Sequence, residues 1–469
     1  MFYSSMEVYR YMSQEPMSQV IDTNAAPADS IPVTAPTPDM QQATPEEPKE
    51  MLYGMIPTEP TQEAVEGIKF DFNDGLRVLL PKEGGPWRIQ FTDVDTNVLY
   101  YDQKGNPDTI IASVKKFYTK FKLTIFHEEE YTKYIKDLDS DPYLSRDESR
   151  RPKPIFEHTY NAKNKLVMIQ APVHTIGDLL GWFPYVEKFR VKHQCNVIAV
   201  LKPCFIEILK AQYPEIMFIT KDDTLNFRTY ACYYLGLFFN GNTSHQPYDF
   251  RYVGLHRTAG HILGVDPTEE RPLLNLSAPR QIEDKYVCIA CMSSSMAKFW
   301  NHPSGWNRVV EFLKENGYRV LDVDRDREFG VGFTFNRIPY GVEDYTGLKP
   351  LQERIDLIKD ADFFIGLSSG LSWLAWACKI PVVMISGFTH PNNEFYTPYR
   401  VINKQVCNSC WNDMRCEFDH KDFFWCPRHK GTDQQYICST TITPEQVIDM
   451  IKQVPTFRPK EAATSTKSK

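Results

Sequence analysis

The chain has 469 residues, with 53 Lys and Arg against 60 Asp and Glu for a formal net charge of -7, and it is 42% hydrophobic and 13% aromatic. The acidic balance argues against nucleic acid as the main partner, and the apolar content suffices for more than one buried core. No apolar run of about 18 residues exists, and the start, with Glu7, Glu15 and only Arg10 for charge, lacks the basic and apolar regions of a secretory signal, so a cytoplasmic protein without membrane insertion is expected.

Residues 1–62 hold nine of the 33 prolines among Thr, Gln and Glu and read as a disordered Pro-rich tail, in which Met1–Met12, with Phe2, Val8, Tyr9 and Tyr11, is a candidate docking segment. From 64 to 127 short alternating runs around Ile68–Phe72, Leu76–Leu80, Trp87–Phe91, Asn97–Tyr101 and Phe121–Phe126 are separated by turn formers such as Asn73-Asp74-Gly75 and Gly105-Asn106-Pro107. That pattern predicts a small all-β domain. Residues 128–160, charged and proline-bearing, read as a connector.

From 161 the text alternates strand and helix: strand Leu166–Ile169, helix Leu179–Lys192, strand Val197–Leu201, helix Phe205–Gln212, strand Ile216–Ile219. A second such series fills 281–400, with strands at Tyr286–Ala290, Tyr318–Asp322, Phe363–Ile365 and Pro381–Ile385 and helices at Trp306–Asn316, Leu351–Lys359 and from Ser372. The fold class is therefore α/β, two Rossmann-like domains, 161–280 and 281–400, facing each other across a cleft at the carboxyl ends of their strands. A cysteine-rich module (401–440), a C-terminal helix (441–455) and a polar disordered tail (456–469) follow. Neither half opens with G-x-G-x-x-G, so no nicotinamide cofactor is expected.

Three places in the cleft carry chemistry. After the first strand of the first half, Thr175-Ile176-Gly177-Asp178 puts a carboxylate where a helix begins; it is a candidate general base, although Asp is also a favoured helix cap. After the first strand of the second half comes Ser293 to Trp300, in which Lys298 could meet a pyrophosphate as a point cation or be an ordinary solvated lysine. The third is Gly366-Leu367-Ser368-Ser369-Gly370-Leu371-Ser372-Trp373, a small-residue turn opening a helix, whose free N–H groups suit phosphate. No D-x-D metal motif lies between the halves, so leaving-group charge falls to Lys298 and the helix start. A base on one side and diphosphate donors on the other is the arrangement of a nucleotide-sugar transferase.

Cys407, Cys410, Cys426 and Cys438 form a C-x2-C pair followed by two sulfurs at loop spacings, which reads as a structural tetrathiolate site. Cys416 is the spare. Zinc is the default by frequency, and sulfur-only ligation also admits iron. Cys195, Cys204, Cys232, Cys288, Cys291 and Cys378 lie in apolar runs and read as buried reduced thiols.

The combination of Thr175-Ile176-Gly177-Asp178, Lys298, Gly366 to Trp373 and the cysteine module with Trp425-Cys426-Pro427-Arg428 resembles the bacterial autotransporter heptosyltransferases. These are relatives of the lipopolysaccharide heptosyltransferases with the GT-B fold. The resemblance spans roughly residues 64 to 452 and implies transfer of heptose from ADP-glycero-manno-heptose to serine hydroxyls of an autotransporter adhesin, with inversion. It implies 161–280 as the acceptor side and 281–400 as the nucleotide-sugar side, a ferric iron on the four cysteines, and a ring-shaped homo-oligomer, commonly a dodecamer. By position Asp178 would be the base, Lys298 the diphosphate contact, and Ser369, Gly370 and Leu371 the phosphate-binding helix start, with Thr175, Ile176, Gly177, Gly366, Ser368 and Trp373 lining the substrate. The lipopolysaccharide enzymes carry an Asp-Thr pair and a histidine at this helix start, where this chain has Ser368, Ser369 and Trp373. The alternatives are a lipopolysaccharide-type or other nucleotide-sugar transferase, and a non-catalytic protein-binding scaffold.

Overall fold

A computed structural model describes residues 53–460, apart from residues 174 and 240; the Met1–Met12 segment lies outside the described residues. The chain opens with strands β1 (Gln62–Glu63), β2 (Lys69–Asn73), β3 (Arg77–Leu79), β4 (Trp87–Asp93), β5 (Val98–Gly105), β6 (Ile110–Ala112) and β7 (Phe121–His127), then helix α1 (Glu128–Ser140) and β8 (Phe156–Thr159). The first α/β half comprises β9 (Leu166–Gln170), α2 (Ile176–His193), β10 (Asn196–Val200), α3 (Pro203–Leu209), β11 (Ile216–Ile219), β12 (Ala231–Tyr234), α4 (Phe250–Val253) and α5 (Arg257–Ile262). The second comprises β13 (Tyr286–Ile289), α6 (Gly305–Glu315), β14 (Arg319–Asp322), the hairpin β15 (Glu328–Val331) and β16 (Thr334–Arg337), β17 (Glu343–Asp344), α7 (Leu351–Ile358), β18 (Phe364–Leu367), α8 (Gly370–Ala377), β19 (Val382–Ile385) and β20 (Arg400–Val401). Helices α9 (Ile437–Thr440) and α10 (Pro444–Ile451) close the described chain.

The second half is the expected parallel sheet, ordered β17-β14-β13-β18-β19-β20. Its central strands, Tyr286–Ile289 and Phe364–Leu367, are buried along their whole length, as helices on both faces require. The N-terminal strands depart from the sequence reading. Only β4, β5, β7 and β8 form a separate antiparallel sheet, where β4 alternates buried and half-buried residues as a one-faced strand should. The others extend the first half: its sheet runs β11-β10-β9-β12-β2-β3-β6, with β12 parallel to both β9 and β2.

Two segments read as tail are also built in. Tyr53 donates its hydroxyl to the Leu235 carbonyl at 2.8 Å, and Gly54 N–H donates to the buried Gln170 side chain at 2.8 Å. At the other end Phe457 stacks on Tyr318, and the Arg458 guanidinium pairs with Asp362 at 2.6 Å. Among the thiols expected to be buried, Cys204 is exposed, on the outer face of α3. No helix among the described residues is long and apolar enough to cross a membrane.

The β2–β3 hairpin rests on one ion pair. Asp71, opposite Arg77 in the register, has no exposed surface and takes both fork nitrogens of Arg77 at 2.9 and 2.8 Å. It also accepts from the Asn73 amide at 2.6 Å and the Thr61 N–H at 3.1 Å. Asp71→Ala would leave a buried guanidinium unpaired, at a cost of roughly 3–5 kcal/mol. The expected result is a lower midpoint in denaturant unfolding followed by tryptophan fluorescence; an unchanged midpoint would remove this pair from the stability account.

Candidate functional site

Asp178 is the third residue of α2 and does not cap it. The capping position is Thr175, whose hydroxyl donates to the Asp178 carboxylate instead of accepting from the helix backbone. An acid in the first turn is favoured by the helix dipole. Asp178 is half-buried, and the protein packed around it pushes its carboxyl above the ordinary aspartate range, although the Thr175 hydroxyl and the Lys298 cation both pull the other way. Desolvation wins, so this carboxylate is a stronger proton acceptor than a surface aspartate.

Lys298 sits on the loop that leaves β13. That loop is clamped at both ends: buried Asp324 accepts from the N–H of Cys291 at 2.6 Å and of Met292 at 2.9 Å, and Met296 N–H donates to the Phe423 carbonyl of the cysteine module at 3.0 Å. The ammonium lies 5.4 Å from the centre of the Phe388 ring and makes no hydrogen bond or ion pair with any described residue. Burial lowers its pKa, and Asp178 and Glu394 partly restore it. The lysine thus faces carboxylates from both halves.

The start of α8 has no side-chain cap, leaving its first-turn N–H groups free of one. Ser369 and Leu371 are half-buried there. Ser368 is buried and engaged: its hydroxyl donates to Glu394 and accepts from the Thr389 hydroxyl at 3.0 Å, while Glu394 pairs with Arg400 at 3.0 Å. The Ser372 hydroxyl donates to the Leu367 carbonyl at 2.6 Å.

The glycines serve packing. A Cβ on Gly370 would stand 2.9 Å from the Ile176 Cβ, and one on Gly177 would stand 2.7 Å from the Trp373 indole. Gly181, one turn further along α2, would meet His256 at 3.0 Å and the same indole at 3.2 Å. Gly177, Gly370 and Trp373 therefore bring the starts of α2 and α8 together. Gly366 is crowded within the second half, where an added Cβ would stand 2.6 Å from the Phe364 ring and 2.6 Å from the Ser372 hydroxyl. The sequence reading placed Gly177, Gly366 and Gly370 against the substrate; in the structure the neighbouring helix and side chains stand where a side chain on each would go.

The C-x2-C turn docks on the loop after β19. Ser409 N–H donates to the Gly387 carbonyl at 2.8 Å, and Trp411 N–H to the Phe388 carbonyl at 3.1 Å. Gly387 must lack a side chain, because a Cβ would lie 2.8 Å from that of Cys438. All eleven cysteines are free thiols. The Cys438 thiol is pushed up to about 12, first by burial and then by Cys407, Cys410 and Cys426; Cys410 is likewise pushed to about 12, mainly by burial. Four thiols with Arg428 as a nearby cation are by their chemistry a donor set that fits a thiophilic metal ion, although no three of these sulfurs lie within 4.8 Å of one another. Among the described residues, the three ligand atoms drawn within 4.8 Å of one another belong to another group, Cys291, Asp322 and Asp324. That group already has hydrogen-bonding work, since the Cys291 thiol donates to Asp322 at 3.2 Å and Asp324 holds the Lys298 loop.

Two Rossmann-like halves whose helix starts meet, with a carboxylate on one and an unpaired lysine on the other, define a glycosyltransferase of the GT-B type. Residues 65–129 match the family Glycosyltransferase TibC, N-terminal domain, and residues 258–422 match Glycosyltransferase family 9 (heptosyltransferase). The chain is 46% identical over 409 residues to Autotransporter heptosyltransferase TibC of Escherichia coli, covering 87% of this chain and 94% of the relative. It is 37% identical over 401 residues to Inactive autotransporter heptosyltransferase BimC of Burkholderia thailandensis, covering 84% and 88%. The solved structure of dodecameric iron-containing heptosyltransferase TibC in complex with ADP-D-beta-D-heptose matches with a TM-score of 0.78 at 46% identity, over 85% of this chain and 98% of that one. The chain belongs to the autotransporter heptosyltransferase family.

The packing of Gly177 on Trp373 is open to a double-mutant cycle. Gly177→Ala alone is expected to destabilise by about 1–3 kcal/mol through overpacking. Combined with Trp373→Ala the costs should fall short of additive, with a coupling of roughly 0.5–3 kcal/mol. Strict additivity would mean that the two residues do not share this space.

Proposed function

We propose that this chain transfers heptose from ADP-heptose to serine hydroxyls of an autotransporter adhesin in the cytoplasm, with inversion at the anomeric carbon. The convergence of Asp178, Lys298 and the α8 start carries this reading. Asp178 accepts the proton of the attacking serine hydroxyl while its oxygen forms the new bond to the anomeric carbon and the bond to the diphosphate oxygen breaks. Lys298 and the first-turn N–H groups of Gly370 and Leu371 take up the negative charge on the departing ADP, the Ser369 N–H being turned to the Leu367 carbonyl at 2.8 Å. Thr175 holds one carboxylate oxygen, leaving the other for the acceptor.

Cys407, Cys410, Cys426 and Cys438 hold a structural iron in this reading, supported by the description of TibC as iron-containing and by the four-thiol donor set. When bound, the metal would fix the module that clamps the Lys298 loop; zinc is the alternative occupant. A dodecamer is proposed on the same similarity. The second reading, a non-catalytic family member, is kept open by the inactive relative BimC.

Asp178→Asn is expected to lower transfer about 100- to 10,000-fold, the usual weight of a general base. The check is the intact mass of an autotransporter passenger co-expressed in a host that makes ADP-heptose. Heptose increments that persist with the variant would end this assignment; their absence even with the parent would favour the non-catalytic reading.

The base works only when deprotonated, so activity is lost as pH falls through its folded pKa. The acid limb of kcat/KM is therefore expected above the ordinary aspartate range. Lys298→Gln removes a cation that holds this pKa down, and should shift the limb to higher pH as well as slowing the reaction. A limb that moves to lower pH would contradict the placement of the pair.

Cys426→Ser opens the thiolate set. The expected outcome is loss of bound iron, measured by inductively coupled plasma mass spectrometry on the purified chain, together with a lower unfolding temperature. Full metal content in the variant would exclude Cys426 as a ligand.

A further inference from the structure

The cysteine module brings one more polar side chain to the aromatic cluster that carries Lys298. Residues 419–422 form a tight turn, in which the Asp419 carboxylate accepts from Lys421 N–H at 2.8 Å and the Asp419 carbonyl accepts from Asp422 N–H at 3.2 Å. This turn presents His420 at the surface. Its ring stands edge-on to Phe418 of the module, centroids 4.7 Å apart, and to Phe239 of the first half, 5.4 Å apart. Phe418 in turn packs on Phe388, 5.9 Å away, the same ring that carries the Lys298 ammonium. His420 and Lys298 are thus two nitrogen-bearing groups on one aromatic cluster where both halves and the module meet. Neither side chain donates a hydrogen bond to any described residue.

We propose that His420 is a binding residue of the donor site, contacting the diphosphate of the nucleotide sugar alongside Lys298. This rests on the nucleotide-sugar reading given above. The chemistry favours it because the D-x-D pair of the second half, Asp322 and Asp324, is buried and already engaged, Asp324 by the N–H groups of Cys291 and Met292 and Asp322 by the Cys291 thiol, so the charge of the diphosphate falls to side chains and helix N–H groups. One lysine and one helix start leave part of a diphosphate unserved, and an imidazole N–H is a directional donor for a second phosphate oxygen. Electrostatics supports the same placement. Burial and the Lys298 cation lower the pKa of His420, against a smaller opposing effect of Asp419, so the free imidazole is neutral at neutral pH. Lys298 itself faces Asp178 and Glu394. An anion bound between the two bases would favour the charged form of each, and binding would then take up protons.

The test uses the intact, metal-loaded protein with ADP as the probe, titrated calorimetrically in two buffers of different ionisation enthalpy at neutral pH. His420→Ala is expected to weaken ADP about 10- to 100-fold, the range for a hydrogen bond to a charged group. His420→Gln, which keeps an N–H donor but cannot take a proton, should recover part of the affinity and reduce the buffer-dependent part of the heat to the share that Lys298 contributes. Metal content and unfolding temperature of both variants should match the parent, since the residue is exposed. Parent-like ADP affinity and proton uptake in both variants would overturn the proposal while leaving the donor reading intact. A parent protein that fails to bind ADP would overturn both.

Discussion

The site depends on how closely two helices approach. The starts of α2 and α8 belong to different halves of the chain, and each carries a group the other needs: the Asp178 carboxylate on one and free N–H groups on the other. They meet at this distance because Gly177, Gly181 and Gly370 have no Cβ and Trp373 offers a flat indole to lie against them. Residues 177 and 181 are one turn apart on the same face of α2, so a single ring can cover both. A second strap runs along the same seam: Leu255 N–H donates to the Asn393 carbonyl at 2.9 Å, and Tyr396 N–H to Glu269 at 2.9 Å. Interior packing tolerates little change in volume, so a contact of this kind fixes spacing to a fraction of an ångström.

Around that contact the charges are arranged in opposition. Burial makes Asp178 more basic and Lys298 less so, and each partly reverses the other's shift. Beneath them, the Ser386 and Thr389 hydroxyls, 2.9 Å apart, continue through Ser368 to Glu394 and Arg400. This buried chain spends the hydroxyl of Ser368 internally. The consequence is a division of labour at the α8 start, where backbone groups, and not that side chain, remain for a ligand.

Much of the α/β architecture was legible because buried parallel strands read as continuous apolar runs and their helices keep a helical period. Strand β12 escaped notice: Ala231-Cys232-Tyr233-Tyr234 is four residues long, with no turn former directly before it, and its partners β9 and β2 are distant in sequence. The N-terminal strands were found, but their pairing was not, because alternation reports a half-buried strand without naming the sheet it joins. Asp178 and Lys298 could be picked out from their positions after the first strand of each half. The glycines could not be sorted, since a glycine beside a carboxylate looks the same whether a ligand or a tryptophan fills the space. His420 gave no signal at all, being a lone histidine in a loop of mixed charge.

The first half's sheet passes without a break from β9 through β12 into β2, β3 and β6, so the N-terminal strands are not an appendage. Trimming the chain to its two Rossmann-like halves would strip the hydrogen-bond partner from β12 and turn an interior strand into an open edge, the kind of surface that templates aggregation. It would also remove Thr61 from the Thr229 carbonyl, which it reaches at 2.6 Å, and the Asn73 amide from the same carbonyl at 2.9 Å. A minimal enzyme made by deletion is therefore closed to this fold: exchange of parts with two-domain relatives has to occur at the cysteine module or the surface loops, where no sheet is cut.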